Sequence, residues 1–316
     1  MILTSVKKGF YVGLATTWKF GKIIFPVTLI VSILKHTPIL PWVIDLIAPM
    51  MGFLGLSGDA AIPLVLGNFL NLYASIGAIL SLDLTVKEVF TIAVMLSFSH
   101  NMLIETSVAL TVGVRLWVVF AVRFGLALLS GLFINLIWHG GNELANYGFA
   151  SVNSDTVSGF GAVMFDGFKT AGMGIVQLAL IVIPLMIVIQ IFKDLKWLAV
   201  FSKWFAPVTR RLGMKENTST ALAAGLLLGL AYGAGVVVQA VKEDGVSKKD
   251  ITLAFVFLMA CHAVIEDTLI FMPLGIPVLP LLFIRLGTAI ILTLVVSTIL
   301  KRAELAKGKE AVIYEQ

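Results

Sequence analysis

The chain is poor in charge and almost without cysteine. Only 13% of its 316 residues are charged, about half the share of an ordinary soluble domain. That excludes a water-soluble globular protein, a disordered chain and a nucleic-acid binder, so no nucleic acid is expected among the partners. A single cysteine, Cys261, excludes a disulfide framework. The four histidines, His36, His100, His139 and His262, form no Cys/His cluster of the kind a structural zinc needs. Also missing are a nucleotide-binding glycine loop, a G-x-S-x-G elbow and an H-E-x-x-H pair. These absences argue against a single-chain pump and against a serine or zinc intramembrane hydrolase. No catalytic residue and no resident cofactor are expected, and the chain reads as something other than an enzyme.

What the chain has instead is apolar length. Apolar residues make up 59% and the mean hydropathy is +1.01. Backbone inside a bilayer must satisfy its own hydrogen bonds, so continuous apolar runs read as helices. The expected fold is an all-α polytopic membrane protein, with the lipid bilayer as its first partner. Ala60–Leu82, Thr170–Phe192 and Asn217–Val241 carry no charge and read as unbroken spans. Phe20–Leu34, Leu116–Trp138 and Val278–Leu300 read as three more. Val89–Val114 and Ile251–Ile276 are interrupted by buried-type charges, and the short, Pro-containing stretches Leu40–Leu54 and Trp197–Val208 read as interfacial or re-entrant helices. Lys7 and Lys8 precede a long apolar run that leads straight on, so no cleavable signal is expected.

The chain resembles itself. At a shift of 162, His100 falls on His262, Glu105 on Asp267, Thr106 on Thr268, Gly113 on Gly275 and Arg123 on Arg285. Thr85 and Glu88 fall on Ser247 and Asp250, and Gly67 on Gly229. A four-residue gap then changes the shift to 158, aligning Pro26 with Pro184 and Ala48-Pro49 with Ala206-Pro207. The expected domains are a first repeat over 1–138, a polar joiner over 139–171, a second repeat over 172–300 and a basic, then polar, tail over 301–316. The basic flanks put both termini on the cytoplasmic side and the acidic joiner, with Glu143, Asp155 and Asp166, outside. Each half then crosses three or five times and the copies are inverted; an even count would make them parallel. Inverted repeats are a common build of secondary transporters, with the site at the midplane.

The site candidates are ionisable or polar groups at membrane depth. His100 and Glu105, and His262 with Glu266 and Asp267, lie near the middle of the interrupted stretches. Such groups are costly in lipid and are functional candidates by default. They read either as substrate or ion ligands and proton carriers, or as internal polar clasps holding the halves together. A sub-case is a divalent metal held by His100, His262 and Asp267. His262 and Glu266 are four apart and would share a helix face; His100 and Glu105, five apart, would converge if the helix unwinds. Ser97, Ser99 and Asn101 could satisfy the freed backbone. Asn68, Asn71 and Ser75 form a polar stripe that lines a path or bonds a neighbour, and Gln239 adds a polar group in the second half. Arg123 and Arg285 either pair with the buried acids or snorkel. Lys203, Arg210, Arg211 and Lys215 read as a lipid-facing cytoplasmic surface.

The run Leu54-Gly55-Leu56-Ser57-Gly58-Asp59, leading into Gly67-Asn68-Phe69-Leu70-Asn71 and the Ser-His-Asn helix, resembles the nucleoside-recognition or Gate domain. Its second copy runs from Leu212-Gly213-Met214 through Gly229 to Cys261-His262. Related regions occur in concentrative nucleoside transporters, the ferrous-iron transporter B membrane region and spore-maturation membrane proteins. The resemblance implies an inner-membrane transporter with two pseudo-symmetric gates. The leading expectation is a secondary transporter of a small polar solute, nucleoside-like or an organic anion, through a midplane site between two repeats. H+ or Na+ is compatible as coupling ion, and a homo-oligomer is compatible with the chain. The alternatives are a divalent metal permease and a non-transporting membrane scaffold or subunit.

Overall fold

A computed structural model describes residues 2–35, 37, 39–148, 159–243 and 245–314. Asp155 and His36, named above, lie outside the described residues. Among the described residues the backbone is helical, and extended pairing is confined to one isolated bridge between Thr85 and Leu144. In chain order the helices are α1 (Ile2–Lys35), α2 (Ile39–Gly52), α3 (Ala61–Phe69), α4 (Leu72–Ile79), α5 (Val86–Ser99), α6 (Met102–Thr111) and α7 (Leu116–Ile137). They continue with α8 (Phe160–Asp194), α9 (Trp197–Arg211), α10 (Ser219–Glu243), α11 (Lys248–Ala260), α12 (Glu266–Leu269) and α13 (Val278–Tyr314). Among the described residues, five helical stretches are long and apolar enough to cross a membrane: Ile2–Lys35, Val86–Thr111, Leu116–Ile137, Gly161–Asp194 and Val278–Glu304.

Two spans read as unbroken are in fact broken. The run Ala60–Leu82 stops at Leu70, whose φ of −99° and ψ of −83° leave the helix, and restarts at Leu72. The restart is made by Asn71, whose side-chain oxygen accepts the Ala74 N–H at 3.0 Å as an N-cap. Apolar composition could not reveal this, because both pieces remain apolar. In the second half, α10 is kinked at Gly229, with φ 75° and ψ 173°, a conformation essentially reserved for glycine. The interrupted stretches do break, at His100–Asn101 and at Cys261–Ile265. Residues 160–171, read as joiner, are already helix, and the expected tail continues α13 to Tyr314.

Several local features occur twice. Thr85 caps α5 by accepting the Glu88 N–H, and Glu88 reaches back to the Thr85 N–H; Ser247 caps α11 by accepting the Asp250 N–H. Positive φ recurs at Asn101 (54°) and Ala263 (40°), just after each histidine. Gly67 packs against Leu96 and its carbonyl accepts the Asn101 N–H at 2.9 Å. In the second half Gly225, rather than Gly229, does the same work: it packs against Leu258 and its carbonyl accepts the Ala263 N–H at 3.0 Å. The 158 shift therefore carries on to the helix break, where Gly229 stands in the place of Asn71, and the four-residue gap falls after it.

The chain folds into two compact units whose limits differ from the sequence halves. The first comprises residues 1–103, 124–195 and 265–282; the second comprises 104–123, 196–264 and 283–316. Each unit thus takes α-helical pieces from both halves of the chain.

In the first unit α1 lies against α8 along much of its length. A Cβ on Gly9 would sit 2.5 Å from the Ile187 Cα, so the two backbones touch. Thr28 of α1 donates to the Gly77 carbonyl of α4 at 2.9 Å. Residues 139–148 lie over the start of α5: the Val86 N–H donates to Glu143 O and the Lys87 N–H to Gly141 O, both at 2.9 Å. Tyr147 closes this strap by donating to Leu82 O at 3.0 Å, and burial pushes its phenol pKa up. In the second unit Ser202 of α9 bonds Ser219 at the start of α10 at 3.0 Å, and Phe205 meets Phe257 of α11 edge-on.

Candidate functional site

Both histidines stand where a helix stops. α5 ends because His100 turns to φ −59°, ψ 161°, and α11 ends at Cys261. Each imidazole folds back along its own helix. Nδ1 of His100 approaches the Leu96 carbonyl at 2.6 Å, and Nδ1 of His262 approaches the Leu258 carbonyl at 2.8 Å. A carbonyl only accepts, so Nδ1 carries the hydrogen in both rings and Nε2 is the end left to face the site. Both residues are buried, at 4% and 1% exposed.

An acid from each half of the chain approaches the histidine of the other half. In the second unit His262 Nε2 lies 3.2 Å from Glu105 Oε1. The other Glu105 oxygen accepts from Arg123 at 2.7 Å, and both side chains are fully or almost fully buried. Arg285, 0% exposed, donates to the His262 carbonyl at 2.7 Å. This holds the backbone at the break, where the helix no longer uses that carbonyl. Snorkelling is therefore overturned for both arginines. A neutral imidazole with hydrogen on Nδ1 presents a lone pair at Nε2, and a carboxylate presents lone pairs too. The 3.2 Å approach is attractive only when the pair holds a proton.

In the first unit the corresponding approach is looser: His100 Nε2 stands 3.9 Å from Asp267 Oδ2. Glu266 accepts from the Tyr73 hydroxyl at 2.8 Å, both groups buried. The expectation that His262 and Glu266 share a helix face fails, because residues 262–265 are not helical. Ser97 and Ser99 do not serve the break either; they donate to Ala93 O and Met95 O inside α5, at 2.7 and 3.0 Å. Asn101 does serve it, through its own N–H.

The polar stripe is divided by the break in the α3–α4 run. Asn68 donates to Leu64 O at 2.7 Å, Asn71 is the α4 cap, and Ser75 is fully buried. Three buried oxygens at this crossing, Asn68 Oδ1, Ser75 Oγ and Asn101 Oδ1, have no hydrogen-bond partner among the described residues. Unpaired buried polar atoms cost free energy, which makes them candidates to meet a ligand or water. Gln239 lies elsewhere, in the second unit. It lines an open cavity of about 490 Å³ with Ser107, Thr111, Gly235 and Glu243, and donates to Glu243 at 2.7 Å. The residue missed from sequence was Tyr73. Its position between Asn71 and Ser75 in an apolar run was the available signal.

Comparison with known proteins agrees with this architecture. The nucleoside recognition (Gate) family model matches residues 17–135 and 175–277. The chain is 57% identical over 312 residues to the uncharacterized membrane protein YvoD of Bacillus subtilis, covering 97% of this chain and all of that one. No solved structure matches. With apolar helices of spanning length, buried ionisable groups at helix breaks and a family match over well over half of its length, this integral membrane protein belongs to the nucleoside recognition (Gate) family.

Proposed function

We propose that the chain is a secondary transporter of a small polar solute, nucleoside-like or an organic anion, coupled to protons. The observation that carries the proposal is that each histidine sits at a helix break with a buried carboxylate facing its Nε2. Helices interrupted at membrane depth, with ionisable groups at the interruption, are how transporters build ion and substrate sites. The cavity along α6 and α10, polar on both sides, supports a solute path. The twofold recurrence of caps, positive-φ turns and histidines supports two copies of one design, and the family match over two segments supports the same reading. The basic flanks support an inverted arrangement with cytoplasmic termini in a bacterial inner membrane.

The test is uptake into proteoliposomes. Labelled nucleosides and organic acids are offered with and without an imposed proton gradient. Uptake driven by the gradient, and abolished in His262→Ala with the protein still folded, is the expected result. The dense pairing of Glu105, Arg123 and His262 also fits an internal clasp. Under that reading His262→Ala unfolds the protein, and no solute moves in the wild type.

A further inference from the structure

We infer that α9 is a binding surface for anionic phospholipid headgroups, and that α2, its counterpart in the first half, is not. α9 turns one side to its own unit: Ser202 and Thr209 are buried, and Phe205 packs on Phe257. The other side is bare. Trp197, Val200 and Trp204 are 46%, 47% and 78% exposed, and Pro207 continues their line at helical spacing. Beside that apolar line runs a row of cations seven residues apart, Lys196, Lys203 and Arg210, all exposed. Arg211 and Lys215 extend it, both exposed as well. Seven residues are close to two helical turns, so the row is straight along the helix axis.

An apolar stripe edged by cations suits a helix lying at the headgroup level, tryptophans in the acyl boundary and cations at the phosphates. Two acids lie close to the row in the chain: Asp194, which accepts from Ser5 and Gln190, and Glu216, which pairs with Arg210 at 2.9 Å in the open. An exposed pair of this kind contributes little and leaves Lys196, Lys203, Arg211 and Lys215 in cationic excess.

The first half supplies the contrast. α2 also exposes an apolar stripe, with Trp42, Leu46 and Met50 at 69%, 69% and 73%. At the 158 shift Trp42 and Leu46 correspond to Val200 and Trp204. Its charge, however, is a single exposed acid: Asp45 stands where α9 has Lys203, and Ile39–Gly52 contains no lysine or arginine. The apolar stripe alone accounts for contact with any lipid. Only the cationic row selects the anionic phosphate of a bilayer headgroup, with an attraction that adds up per cation near the surface.

Native mass spectrometry of the purified full chain, titrated with phosphatidylglycerol or phosphatidylcholine, tests this. The wild type should bind phosphatidylglycerol more tightly than phosphatidylcholine. The combined variant Lys203→Gln, Arg210→Gln, Arg211→Gln should lose about hundredfold in phosphatidylglycerol affinity with phosphatidylcholine binding unchanged. Asp45→Lys should strengthen phosphatidylglycerol binding. Excess inorganic phosphate should fail to displace the lipid; displacement would mean a free-phosphate site and overturn the inference. Equal affinities for the two lipids, or a variant that binds phosphatidylglycerol like the wild type, also overturn it. A wild-type arm does not depend on any variant folding: raising ionic strength should erase the preference through screening, and a preference indifferent to salt counts against the inference.

Discussion

In the second unit the buried histidine lies close to a carboxylate, and in the first the two groups stand further apart. His262 faces Glu105 at 3.2 Å, Glu105 accepts from Arg123 at 2.7 Å, and Arg285 holds the His262 carbonyl at 2.7 Å. His100 stands 3.9 Å from Asp267, with Glu266 held by the neutral Tyr73 hydroxyl. The helix crossings differ in the same sense. Around Gly229 the second unit is lined by Gly225 and Ala263, small and nonpolar. The first unit places Asn68, Asn71, Ser75 and Asn101 at its break, with three oxygens that have no partner among the described residues. The second unit shows a knot of arginine, carboxylate and histidine, and the first a crossing lined with polar side chains. The lesson is that a capping asparagine and a kinking glycine are two different ways to break an apolar helical run.

The largest effect should come from breaking the knot. Arg123→Ala leaves Glu105 buried beside His262 without its guanidinium, at a cost of about 3–5 kcal/mol. Denaturant titration in mixed micelles reads this, and a change below a tenth of that size would deny the knot its role. Next is Gly229→Ala. The backbone there has φ 75° and ψ 173°, and the added Cβ would lie 3.0 Å from Ala263. About 1–3 kcal/mol of stability should go with it. Asn71→Ala, at the same place in the first unit, forfeits only a helix cap and should cost about 1 kcal/mol. If the two variants cost the same, the breaks are not the distinct solutions described above.

The smallest effect is at Asp59, which starts the broken α3–α4 run. Burial raises its pKa above the ordinary carboxylate value, against an opposing pull from Lys35. A raised folded-state pKa means that the ionised form is held at a loss in the folded protein. Asp59→Asn should therefore raise the melting temperature slightly at neutral pH. That advantage should fade as pH falls from the raised value through the ordinary carboxylate range, because Asp59 is then neutral in both states. A thermal melt at pH 7 and pH 4 checks both the gain and its direction.

Composition settled that this is a helical membrane protein, because backbone in lipid has few other ways to satisfy its hydrogen bonds. The charged interruptions at His100 and His262 were also legible, since ionisable residues stand out against apolar runs. The breaks at Asn71 and Gly229 were hidden: a capping asparagine and a glycine in an apolar segment look like tolerated polar and small residues. The pairing of acids with histidines was hidden more deeply. Spacing along one chain offered Glu105 to His100 and Glu266 to His262; the fold gave Glu105 to His262, Asp267 to His100 and Glu266 to Tyr73. Which residues are costly to bury is a property of each side chain and can be read in order along the sequence. Which partner compensates that cost depends on segments far apart in the chain meeting in one compact unit, and only tertiary packing decides that.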